Sequence, residues 1–217
     1  LNHDQVTRRI LERGRTLSPI VEIPWCAVSI FRIDWLHAVD LGVAQDFLGS
    51  LFSLCLTVLP GRSKDEKCKV LWSRMQQYYK DNDCDNRLDM LKPSMLQKKK
   101  SKYPKLRSKA GESRTLIPFA QEIAVTLLGD SPEHEAAKLA AIALNSCYTC
   151  LSEDSFSHEG IETTARAFAL QYSGLHELAV AQVVRRWAAK PKFNLFRELT
   201  HDCTATPARW WTYRDES

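Results

Sequence analysis

The stretch from Trp35 to Leu59 places the strongest condition on the fold. Its apolar residues Val39, Val43, Phe47, Leu51, Leu54 and Val58 recur every three or four positions, the period of an α-helix, and Pro60-Gly61 stops the pattern. The apolar stripe is wide, so other elements have to cover this helix. A chain of 217 residues with 44% hydrophobic content has the material to do so, as one large domain or as a core with one insertion. No apolar run reaches the roughly 18–20 residues of a bilayer span, and no secretory signal is visible. No membrane association and an intracellular location are therefore expected. The seven cysteines, Cys26, Cys55, Cys68, Cys84, Cys147, Cys150 and Cys203, are odd in number and widely spread, which predicts reduced thiols. Leu1 at the start and the charged end Tyr213–Ser217 read as cuts through a longer protein, or as the result of processing.

Around this helix the sequence is mostly helical. Val6, Ile10 and Leu11 predict a short helix between Asp4 and Arg15. Trp25 to Ile33 is β-branched and apolar with partial alternation, and predicts a strand. Lys64 to Lys80 is amphipathic, Asp81 to Asp89 turn-rich, and Arg114 to Leu128 helical with a stop at Gly129. Ser131-Pro132-Glu133 combines a hydroxyl cap, a proline at the first helical position and an acid in the first turn, and starts a helix to about Leu151. A second start at Ser157 opens a helical pattern to Ala189, with Ser173-Gly174 as its weakest point and Pro191 as its end. A short helix from Lys192 to His201 and an aromatic group, Trp210, Trp211 and Tyr213, read as packing, complete the chain.

The residues that bear on chemistry begin at Asp34-Trp-Leu-His37-Ala-Val-Asp40-Leu-Gly42, where the predicted strand meets the long helix. Asp34, His37 and Asp40 recur close to one helical turn and are expected to share a polar face. Carboxylate and imidazole there suit a metal or an acid–base step. The plainer alternative is Asp34 as a helix cap and His37 as a satisfied first-turn histidine.

This block resembles the C/D(2)H signature of eukaryotic cut-and-paste transposases, in the form found in CACTA (En/Spm)-like elements. Trp211-Thr-Tyr213-Arg-Asp215-Glu216 resembles the Trp-x-Tyr-x-x-Glu block near the last catalytic acid of that family. Lys190-Pro-Lys192-Phe-Asn-Leu-Phe196 resembles its Lys-Pro-Lys-x-His-x-Phe helix, with Asn194 where histidine is usual. The resemblance implies the latter part of an RNase H-like α/β core with a large helical insertion: residues 1–60 core, 61–189 insertion, 190–217 core. It implies a metal-dependent phosphodiester transfer with Mg²⁺ or Mn²⁺ held by carboxylates, DNA as partner, a nuclear location and a homo-oligomer. Glu216 maps onto the third acid, with Asp215 as runner-up. Asp34 and His37 map onto the signature, and Asp34 joins Glu216 as candidate metal ligand. The earlier acids of the triad have no counterpart here, so the chain alone is expected to be inactive.

Lys98, Lys99, Lys100, Lys102, Lys105, Arg107 and Lys109 form the candidate DNA-contact segment, inside a loop or lid from Lys92 to Arg114. Its alternative is a solvated loop. Cys147-Tyr-Thr-Cys150 is a lone pair without partners, better read as core thiols than as zinc ligands. His158-Glu159 and His176-Glu177 read as surface or satisfied side chains.

Overall fold

A computed structural model describes residues 8, 11, 12, 32–96 and 103–212. The chain divides into two compact units, Leu1–Ile33 and Asp34–Ser217. In the first, Arg8, Leu11 and Glu12 are helical and exposed, within the helix expected between Asp4 and Arg15. The expected strand Trp25–Ile33 lies outside the described residues except for Arg32 and Ile33, which belong to no regular element.

The second unit is helical. We label its helices α1 (Leu36–Val58), α2 (Lys64–Asp81), α3 (Pro93–Leu96), α4 (Ala110–Leu127), α5 (Pro132–Thr149), α6 (His158–Ala181) and α7 (Pro191–Asp202), followed by a single 3₁₀ turn, Pro207–Arg209. The chain is mainly α, as expected. Among the described residues there is no strand, and the expected RNase H-like α/β core finds no support in them.

Helix α1 is the centre of this unit. Trp35, Leu36, Val39, Val43, Phe47, Leu48, Leu51 and Phe52 are all fully buried. Each such side chain contributes about 1.5–3 kcal/mol on burial. The helix packs against α4, α7 and α2. Contrary to the sequence expectation, Leu36–Val58 is long and apolar enough to cross a bilayer, with a mean hydropathy of 1.5, yet 78% of that window is buried within the protein. Neighbouring helices cover its apolar surface.

The start signals act as expected. Ser131 Oγ accepts the His134 N–H at 3.3 Å and Ser157 Oγ accepts the Gly160 N–H at 3.2 Å. Helix α4 begins at Ala110, four residues before the expected Arg114, because the Glu112 carboxylate accepts the Lys109 N–H at 2.7 Å and caps an earlier turn.

Helix α6 departs more from expectation. It runs through Ser173-Gly174 without a break and stops at Ala181 instead of Ala189. The reason is tertiary. Val183 takes a left-handed φ of 56° and turns the chain. Trp187 then enters the core, its ring 6.0 Å from Phe47 and 5.8 Å from Tyr172. The Trp187 indole N–H and the Arg186 guanidinium both bond Glu133 Oε1, and the Trp187 carbonyl accepts from His176 Nδ1 at 2.9 Å. Pro191, expected to end α6, opens α7 at its first position instead.

Candidate functional site

The start of α1 carries a cluster of polar side chains. Asp34 acts first as a helix cap: its backbone carbonyl accepts the Ala38 N–H at 3.0 Å and its Oδ2 accepts the His37 N–H at 2.9 Å. Oδ2 also takes the His37 Nδ1–H at 2.5 Å. Thr212, 178 residues downstream, donates its N–H to Oδ1 and its hydroxyl to Oδ2, each at 3.1 Å. Burial alone would raise the Asp34 carboxyl, but these donors from His37 and Thr212 outweigh it and hold the pKa below its ordinary value of 3.8.

The next residues are wound as a π-helix, Leu36–Ala44, with bonds spanning five residues. The expected shared face holds for Asp34 and His37 and fails for Asp40, because more residues per turn mean that Asp40 no longer stacks on His37. His37 is exposed, while Asp40 is fully buried and accepts the Tyr148 hydroxyl at 2.5 Å. Trp35 sits between them in the core, edge-on to Tyr148 at 5.5 Å and to Phe196 at 6.0 Å.

Lysines from distant segments bond the π-wound backbone and its continuation. Lys192 Nζ donates to the His37 carbonyl at 2.6 Å and reaches the Leu41 carbonyl at 3.4 Å, which Lys105 Nζ meets at 3.0 Å. Gly42 makes room for this: a Cβ there would lie 2.4 Å from Lys192 Cδ. One turn further on, Lys190 Nζ pairs with Asp46 at 2.6 Å, the aspartate side chain being 4% exposed. The three sequence blocks 34–42, 190–196 and 211–212 therefore meet at one end of α1. Trp211 is held there by the Arg114 guanidinium, 4.3 Å from its ring centre.

Of the expected site residues, Asp34 and His37 come together. Asp215 and Glu216, with Tyr213, lie outside the described residues, as do Lys98, Lys99, Lys100 and Lys102. Lys105, Arg107 and Lys109 are described, and their segment is not a free loop. Lys105 N–H bonds the Leu96 carbonyl at 2.8 Å, Leu106 N–H the Gln45 carbonyl at 2.9 Å and Arg107 N–H the Met95 carbonyl at 2.8 Å. Gly49 permits this close approach, since a Cβ there would meet Lys105 Cα and Leu106 N at 2.5 Å. Arg107 and Lys109 are exposed, while Lys105 is half-buried.

Beside this segment lies a cavity of about 680 Å³, walled by Gln45, Lys105, Arg107, Lys109, Glu112 and Lys190 among others. A second groove of about 630 Å³ runs between α6 and α7. Asn194, the residue standing where the resembled family has histidine, is exposed at that groove, with Glu162 and His201 paired nearby at 2.9 Å.

The other expectations fall as read. Cys147 is buried and bonds Thr164 at 3.2 Å, and desolvation pushes its thiol up to about 12. All described cysteines are free, Cys26 lying outside them. His158 Nε2 bonds the His201 carbonyl at 2.8 Å, so both histidines read as satisfied, His176 and His158, have backbone partners.

Sequence reasoning missed Thr212, Lys190 and Lys192. The Lys-Pro-Lys and Trp-Thr-Tyr blocks carried the signal, but attention fell on Asn194 and on the terminal acids. No protein-family model, curated protein or solved structure matches the chain.

Proposed function

We propose that this chain is a DNA-handling module of transposase-like ancestry, similar to proteins of CACTA (En/Spm)-like elements, which grips the phosphate backbone with its basic surface and acts without strand-transfer chemistry of its own. One observation carries the ancestry. The three blocks on which the resemblance rests are up to 178 residues apart in sequence, and Thr212 and Lys192 bring them together on Asp34 and His37. Accidental short matches would have no reason to converge. The RNase H-like core that such ancestry implies belongs to this proposal and would have to lie outside the described residues. A nuclear location follows from the same reading.

The Mg²⁺ or Mn²⁺ of that ancestry has little room at Asp34 in this arrangement. Against the roughly four acceptor positions of a carboxylate, Asp34 already receives four donors from His37 and Thr212, three on Oδ2 and one on Oδ1. A cation would meet the positive ends of those N–H and O–H dipoles. Among the described residues no three His, Cys, Asp or Glu side chains gather as a metal site. Asp34 and His37 are accordingly assigned a positioning role, tying the chain end to the helix start. No step is derived through a metal.

DNA contact is supported by Arg107 and Lys109, exposed on a backbone segment that α1 and α3 hold in place. Ordered cations contact phosphate at a smaller entropic cost than cations on a free loop. The test is the salt dependence of binding. Neutralised phosphates give a slope of log K against log salt of about −0.9 each on duplex and about −0.7 on single strands. Charge reversal at Arg107 and Lys109 should shallow that slope. Absence of DNA binding even at low salt would remove the proposal. Divalent-dependent DNA cleavage lost on Glu216→Ala would instead restore the catalytic reading.

A further inference from the structure

A cavity lies between the 103–109 segment and the start of α7. Its wall carries four cations, Lys105, Arg107, Lys109 and Lys190, against one carboxylate, Glu112. Asp46, behind Lys190, brings the opposing carboxylates to two. Glu112 is turned onto the Lys109 N–H, and Lys190 is held by Asp46, so both acids are engaged in the frame. Arg107 and Lys109 are exposed and in no ion pair among the described residues. Gln45 is 6% exposed; its Nε2 donates to the Ser108 carbonyl at 2.6 Å and its own carbonyl accepts from Leu106. Backbone bonds to Leu96 and Met95 fix the same wall.

A concave wall whose backbone is fixed and which presents several cations suits a compact, highly charged anion better than a diffuse one, because less of the wall has to be ordered on binding. A volume of about 680 Å³ lies within the range of small-ligand sites. It admits a group the size of one nucleotide. We propose that this cavity binds a terminal phosphate, a phosphomonoester carried by a nucleotide-sized group, with Arg107 and Lys109 contacting its oxygens. Two sources share that chemistry: the phosphorylated end of a nucleic-acid strand, and a free mononucleotide. The strand source rests on the DNA-handling reading above; the phosphate pocket itself does not.

The experiment compares four probes on the intact chain by equilibrium binding: adenosine 5′-monophosphate, adenosine, and one single-stranded oligonucleotide with and without a 5′-phosphate. The expected result is at least tenfold weaker binding of adenosine than of its monophosphate, and a similar preference for the phosphorylated strand. Arg107→Glu with Lys109→Glu, both at exposed positions, should abolish the preference, while Arg197→Glu, on the far groove, should leave it intact. If both strands bind equally and the monophosphate does not bind, the pocket is overturned and the DNA reading survives. If the monophosphate binds and neither strand does, the pocket stands and the DNA reading falls. A preference that survives the double charge reversal would also overturn the pocket.

Discussion

Helices α5 and α6 and the first turns of α1 are built by opposite means. The first pair share the most extensive interface in the unit and begin where local chemistry says they should, at Ser131 and Ser157, each with a hydroxyl cap. Their geometry is that of ordinary α-helices whose apolar residues follow a 3.6-residue period. The start of α1 has a different backbone geometry. It is π-wound, and its carbonyls are bonded by Lys192 and Lys105 while its capping carboxylate is bound by Thr212. One region is started by neighbours in sequence, the other held at its start by residues brought from both flanks of the fold. The difference teaches that the polar cluster at α1 depends on the completed tertiary structure, whereas α5 and α6 carry the signals for their starts within themselves.

Four substitutions break or sharpen that contrast. The largest effect is expected from Trp187→Ala, which empties a fully buried indole site and leaves Glu133 with one donor fewer; about 3–5 kcal/mol of stability should be lost in urea unfolding. Gly49→Ala comes next. Its methyl would collide with the backbone of Lys105 and Leu106, and forcing that segment away should cost about 1–3 kcal/mol and loosen Arg107 and Lys109 in hydrogen exchange. Ser131→Ala removes a purely local cap and should cost about 1 kcal/mol, with exchange raised only at the start of α5. A loss spread to α1 would contradict the division drawn here.

The smallest effect is a pH dependence. The folded pKa of Asp34 lies below its ordinary 3.8, so the ionised carboxylate favours the folded state above that pH. This contribution is lost as pH falls through 3.8 and then through the lower folded value. The Tm of Asp34→Asn should therefore approach that of the parent at the acid end and differ most near neutrality. At the other extreme, desolvation raises Cys55 and Cys147 to about 12, so each favours the folded state below the ordinary thiol value of 9.0 and destabilises it as pH climbs from there towards 12.

The long helix, its stop at Pro60-Gly61, the caps at Ser131 and Ser157 and the core role of Cys147 could all be read from residue order, because each depends on residues within one or two turns. Asp34 as a cap was readable for the same reason. The early end of α6 was not: nothing near Ala181 breaks a helix, and the chain turns at Val183 because Trp187 finds a site between Phe47 and Tyr172. The π-winding was hidden too, since the apolar spacing from Val39 to Val58 suits an ordinary α-helix.

The amino-acid order by itself thus determined a mainly helical chain, most helix starts and which residues are apolar enough to form the core. Only the tertiary structure decided that Thr212 and Lys192 close on Asp34 and His37, that Asp40 turns inward to Tyr148, and that Lys105, Arg107, Lys109 and Lys190 surround one cavity. The physical reason is range. Caps and helical periods are set by bonds a few residues long, while a polar cluster drawn from distant segments exists only after apolar packing has placed those segments side by side.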